Sequence, residues 1–77
     1  MDKSDALAAF AALSQPARLD AFRLLIKAGP EGLPAGQIAA QLDQRQNTMS
    51  ANLSILAQAG LVTTTRQGRS ILYNAHM

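Results

Sequence analysis

Gln44-Arg-Gln-Asn-Thr-Met-Ser-Ala-Asn-Leu-Ser-Ile-Leu-Ala-Gln-Ala-Gly60 is the stretch that decides the fold. A polar run opens it, and Asn47 suits an N-cap, its side-chain oxygen accepting from a backbone N–H near Ser50. Gly60 closes it as the residue best suited to the left-handed position just past a helix. Between these ends Met49, Leu53, Leu56 and Ala57 recur at helical spacing and form one apolar stripe. The opposite face carries Asn47, Ala51, Ser54 and Gln58, with Thr48 and Ser50 flanking it near the N-terminus. That face holds no acid, and its side chains are short or amide-bearing. Such groups can enter a major groove and hydrogen-bond base edges without repulsion from phosphate. An amphipathic helix with a merely solvated polar face would look the same in isolation, so the flanking sequence has to decide.

Upstream, Pro34 opens a short helix that runs to about Leu42 and buries Ile38, Ala39 and Leu42, with Leu33 packing just ahead of it. The polar turn Asp43-Gln-Arg-Gln46 then leads into the helix expected over 47–59. A short helix, a tight turn and a polar-faced second helix make the helix-turn-helix pattern, in which the first helix braces the second in a groove. Earlier in the chain, Ser14-Gln-Pro16 starts a helix expected over 16–28, since proline in the first turn gives up no intrahelical bond. Leu19, Phe22, Leu25 and Ile26 should face inward and Arg18, Asp20, Arg23 and Lys27 mainly outward, and Ala28-Gly29-Pro30 stops it. A first helix is expected over about 4–14, capped by Ser4, with Asp5 favourable to the helix dipole. Leu7, Phe10, Ala11 and Leu13 or Ser14 keep one side of it apolar. Its alanines (Ala6, Ala8, Ala9, Ala12) permit close helix approach, within the domain or across a dimer interface.

Downstream of Gly60 the period changes to two. Leu61-Val-Thr-Thr-Thr-Arg66 and Arg69-Ser-Ile-Leu-Tyr-Asn74 are rich in β-branched or aromatic residues, and Gln67-Gly68 joins them as a tight hairpin over 61–74. Pairing Arg66 with Arg69 puts Val62, Thr64, Ile71 and Tyr73 on one face, toward the helices, and two arginines side by side at the tip. Opposed like charges are unfavourable unless an anion lies beside them. After a helix-turn-helix, a wing that reaches backbone phosphate or the minor groove is the favoured reading. The expected architecture is a single domain, 1–77, mainly α with a small β-hairpin: a winged helix-turn-helix.

Seventy-seven residues support one modest core, and only Phe10, Phe22 and Tyr73 are aromatic, which suggests help from a partner chain. All five acids (Asp2, Asp5, Asp20, Glu31, Asp43) lie before residue 44, while 44–77 carries Arg45, Arg66 and Arg69 with no acid. An acid-free, arginine-bearing half suits a phosphate backbone. The sequence has no cysteine, which excludes disulfides and thiolate metal sites within it. No apolar run approaches the roughly 20 residues of a membrane span, and Met1-Asp-Lys-Ser-Asp5 lacks the basic-then-apolar order of a signal peptide. A cytoplasmic protein with no membrane partner is the expectation. An enzyme is not expected: His76 is the only histidine, Ser14, Ser50, Ser54 and Ser70 have no base nearby in sequence, and no Gly-rich phosphate loop occurs.

Leu13-Ser-Gln-Pro-Ala-Arg-Leu19, Asn47-Thr-Met-Ser-Ala-Asn-Leu-Ser-Ile-Leu56, Ala59-Gly-Leu-Val62 and Gln67-Gly-Arg-Ser-Ile-Leu-Tyr73 resemble the ArsR/SmtB repressors, in order and at matching separations over about residues 5–74. The resemblance implies a homodimeric winged-helix repressor on an inverted-repeat operator, released when a metal or metalloid binds. By this likeness Gln46, Asn47, Thr48, Ser50, Ala51 and Ser54 fall at groove-reading positions, and Arg66 to Arg69 forms the wing tip. Two departures limit it. Many members place cysteines where this chain has Leu33-Pro-Ala-Gly-Gln37. The Asn-Thr-Met-Ser start of the recognition helix resembles the arsenic-responsive branch, whose cysteines lie in a tail after the wing. This sequence ends at His76-Met77, before such a tail and before a final helix that completes the dimer interface. The resemblance thus implies operator DNA and a second copy as partners and no cofactor for this chain, with metalloid sensing only in a longer parent. A winged helix used for protein–protein contact is the alternative, because the fold alone does not dictate nucleic-acid binding.

Overall fold

Asp2, rather than Ser4, caps the first helix: its Oδ1 accepts from the Asp5 backbone N–H at 2.8 Å, and α1 runs Lys3–Leu13. Either residue type can cap, and one extra residue of helix places the acid rather than the serine at the capping position. In the computed structural model, which describes residues 2–76, there follow α2 (Pro16–Ala28), β1 (Leu33–Pro34), α3 (Ala35–Gln41), α4 (Gln46–Gln58), β2 (Val62–Gln67) and β3 (Ser70–Ala75). Gln15 caps α2, its side chain accepting from the Arg18 N–H at 3.0 Å, with Pro16 in the first turn as expected.

The core forms where α2, α3 and α4 meet the base of the sheet. Leu25, Ile38, Met49, Leu53 and Leu56 are fully buried, joined by Ala12, Ala21, Ala39 and Val62. Each large side chain withdrawn from water contributes roughly 1.5–3 kcal/mol, which makes the Met49–Leu53–Leu56 stripe the main anchor of α4. On α1, where the sequence left the direction of the apolar side open, Ala9 and Ala12 are buried, while Leu7 and Phe10 stand 60% and 69% exposed. The small residues pack inward because they allow close approach, so the bulky ones are left on the outer side. On α2, Leu19 and Ile26 are likewise exposed, and Arg18 turns inward instead of outward.

Two turns are closed by the same geometry. After α4, the Leu61 N–H reaches the Leu56 carbonyl and the Gly60 N–H the Ala57 carbonyl, both at 3.0 Å, with Gly60 at φ +79°. This is the Schellman arrangement, and it places the left-handed residue at Gly60 as expected. After α3, Gln44 N–H reaches Ala39 and Asp43 N–H reaches Ala40 in the same pattern, with Asp43 at φ +54°. Closing the turn this early lets α4 begin at Gln46, so Arg45 occupies the N-cap without a side-chain bond. Asn47 therefore lies inside the helix rather than capping it, and its Oδ1 accepts from its neighbour Thr48 at 2.9 Å.

The sheet is antiparallel in the order β1-β3-β2. Its third strand was not expected: Leu33 pairs with Tyr73 and Pro34 with Leu72. A two-residue strand has no readable period, and its proline is tolerated because β1 is an edge. The hairpin register is also corrected. Gln67 pairs with Ser70 and Arg66 with Ile71, so the loop is Gly68-Arg69 and the arginines are not opposed. A shift of two residues preserves the faces: Val62, Thr64, Ile71 and Tyr73 still share one side. Only Val62 is buried there, with Tyr73 half-buried; Thr64 and Ile71 are exposed because the wing projects beyond the helices.

Candidate nucleic-acid interface

Packing of Met49, Leu53 and Leu56 into the core fixes which way α4 faces. Asn47, Thr48, Ala51, Ser54 and Gln58 are exposed on the outer side and Ser50 is half-buried at its edge. Asn52, at 8% exposure, is held inside with the apolar stripe. The division of α4 into an exposed and a core-facing side thus follows the helical spacing of the sequence. Ala35–Gln41 lies against the inner part of α4, with Ile38 and Ala39 buried, which is the bracing role of the first helix in the motif.

The N-terminus of α4 and the wing form one continuous feature. Gln46 and Arg69 border a single cleft together with Pro34, Gly36, Ser70 and Tyr73. Arg69 stands in the exposed loop at the wing tip, and Arg66 lies on the strand, its Nε directed at the Gly68 carbonyl at 3.4 Å. A bond that long holds Arg66 weakly and leaves its guanidinium available to a stronger acceptor. Ser54 and Ala51 are on the same outer face of α4 but are not among the walls of that cleft. Ser70 beside Arg69 escaped the sequence reading, which had placed Arg69 rather than Ser70 at the start of the strand.

Chemically the surface offers neutral donors and acceptors along a helix and two cations on a hairpin, without a carboxylate between residues 44 and 77. It suits a polyanion that carries hydrogen-bonding edges. Among the described residues no group of three or more His, Cys, Asp or Glu comes together to hold a metal ion. Among the same residues no helix is long and apolar enough to cross a membrane.

The model of the "Helix-turn-helix domain" family matches residues 13–65, from the end of α1 into the wing. A curated relative, the "Biofilm growth-associated repressor" of Agrobacterium fabrum, is 38% identical over 61 residues, covering 79% of this chain and 50% of its own length. The chain therefore spans about half the length of that relative. Among solved structures, a homodimeric winged helix-turn-helix DNA-binding domain from Mycobacterium bovis, a possible ArsR-family transcriptional regulator, superposes with a TM-score of 0.85 at 29% identity, over 94% of this chain and 64% of that one. The transcriptional repressor BigR from Xylella fastidiosa superposes with a TM-score of 0.79 at 28% identity, over 96% and 72% of the two chains. The matched segment contains α2, α3 and α4 with β1 and most of β2, β3 beyond it completes the wing, and the chain belongs to the helix-turn-helix domain family, with the winged fold of its ArsR-type neighbours.

Proposed function

We propose that the chain is the sequence-specific DNA-binding domain of a transcriptional repressor that reads an inverted-repeat operator as a homodimer. The observation that carries this is the acid-free outer face of α4, continuous at Gln46 with the cleft that leads to Arg69. In this reading Gln46, Asn47, Thr48, Ser50, Ala51 and Ser54 meet bases or phosphates in the major groove, and Arg66 and Arg69 neutralise phosphate beside it. A repressor relative and a homodimeric DNA-binding neighbour support it. So does the apolar pair Leu7 and Phe10, exposed on α1 as a second copy would require. Such a regulator acts in the cytoplasm, where bacterial DNA is held.

A gel shift of the purified chain against its own promoter DNA at two salt concentrations tests the proposal. Binding that weakens steeply with salt supports it, and absence of binding at low salt leaves the winged helix as a protein-binding module. Release of operator by arsenite would require thiolates, which this sequence does not carry. Trivalent arsenic is held by sulfur, and with no cysteine in this sequence arsenite should leave its DNA complex intact.

A further inference from the structure

Arg18 leaves α2 and enters the junction of three helices. Its Nε donates to the Ala12 carbonyl at 2.7 Å, in the last turn of α1, where carbonyls lack helical partners. Its Nη1 donates to Asn52 Oδ1 at 3.2 Å on α4. Asn52 is the buried polar side chain of the core, set among residues that are otherwise apolar. Both acceptors are neutral, and the planar fork of the guanidinium fixes the two bonds relative to one another.

The surrounding packing makes this link matter. The seam between α1 and α4 is an open groove of about 330 Å³, walled by alanines of both helices together with Ile55, Gln58 and Arg18 itself. Met49, Leu53 and Leu56 set which face of α4 points into the core, but on the side toward α1 the open seam leaves the fine setting of its roll without interdigitating side chains. We infer that Arg18 is a positioning residue for the DNA-reading helix, acting through Asn52 to set that roll. The inference rests on the DNA-binding reading above. Asn52 lies between the outward residues Ala51 and Ser54 in sequence, so turning one turns the others. With side chains about 5–6 Å from the helix axis, a roll of about 20° moves their tips by about 2 Å. That exceeds the range over which a base-edge hydrogen bond survives, whereas phosphate contacts by long side chains tolerate it.

The test compares the unaltered chain with Arg18→Met, Arg18→Lys, Asn52→Leu and the double variant Arg18→Met/Asn52→Leu. Residual dipolar couplings of backbone N–H groups report the orientation of α4 relative to α2 without DNA. Fluorescence anisotropy reports affinity for the tightest duplex that the unaltered chain selects from a random pool, and for poly(dA-dT). Arg18→Met should reorient α4 and lose about tenfold on the selected duplex with little change on poly(dA-dT). The double variant should be no worse than Arg18→Met, and Arg18→Lys, which keeps the charge and stem and guards against simple unfolding, should fall between. Unchanged α4 couplings in folded Arg18→Met overturn the inference, as does a double variant whose losses multiply as independent effects. If the unaltered chain selects no duplex, the DNA-binding reading fails, while the couplings still decide whether Arg18 sets the roll of α4.

Discussion

The side-chain amide of Gln46, the first residue of α4, lies against Gly36 in α3: a Cβ placed on Gly36 would meet Gln46 Oε1 at 3.3 Å and Cδ at 3.5 Å. The glycine leaves room for a polar side chain at the point where the two helices of the motif converge. Gly36→Ala should raise intrinsic helix stability by up to about 1 kcal/mol, partly offset by the contact. The contacting atoms are the end of a flexible side chain, so Gln46 should move and the fold should not. Thermal melting is expected to stay within a few degrees of the unaltered chain or rise, while affinity for operator DNA falls about threefold to tenfold. Unaltered affinity would show that Gln46 makes no contact with DNA.

Leu7 and Phe10 lie one turn apart on α1 and are both mostly exposed. Two large apolar side chains on one helix face are costly to leave in water, and a second copy can cover them. Sedimentation should show a dimer for the unaltered chain and a monomer for Phe10→Glu, with the same circular-dichroism spectrum, because Phe10 contributes nothing to the core. Equal masses for the two would place the dimer contact elsewhere or remove it.

Asp43 holds the left-handed conformation at the helix-turn-helix corner that Gly60 holds after α4. That conformation costs an ordinary L-residue about 1–2 kcal/mol, and an acid somewhat less. Asp43→Gly should therefore stabilise by about 0.5–1 kcal/mol after the greater unfolded-state freedom of glycine is set against it. Asp43→Val should destabilise by about 1–2 kcal/mol. Urea denaturation with unchanged slope measures both, and a stabilised Asp43→Val would contradict the turn geometry.

Asp43 also marks the boundary of what could be read without coordinates. The spacing of Met49, Leu53 and Leu56, the glycine at 60 and the alternation after it were sufficient for the fold and for the outward face of α4, because each reflects a local period. The partners of Arg18 and the pairing of Leu33 with Tyr73 were not legible. Arg18, on α2, joins residues on two other helices, and β1 is too short to carry a pattern. The hairpin register failed by two residues for a related reason. Gln67-Gly68 and Gly68-Arg69 are both acceptable two-residue loops, and the choice rests on Gly68 at φ +62° occupying the first loop position. The apolar side of α1 that carries Leu7 and Phe10 was legible, but not whether it faces the domain or a partner, because helical spacing does not say which face packs inward.

The corrected register changes what the wing should do. Arg66 sits on the strand opposite Ile71 and Arg69 in the loop, so in the proposed complex the two guanidinium groups should meet DNA as separate contacts rather than as one clamp. Each phosphate neutralised adds about 0.9 to the magnitude of the slope of log K against log salt, and a symmetric dimer presents each arginine twice. Arg66→Ala and Arg69→Ala should each flatten that slope by up to about two units, and the double variant by up to about four. Binding should weaken to related and unrelated duplexes alike where the contact is to phosphate. If only the selected duplex weakens, the arginine enters the minor groove and senses its width or composition. If the double variant leaves both slope and affinity unmoved, the hairpin does not touch DNA, and the winged helix is better explained as a surface for another protein.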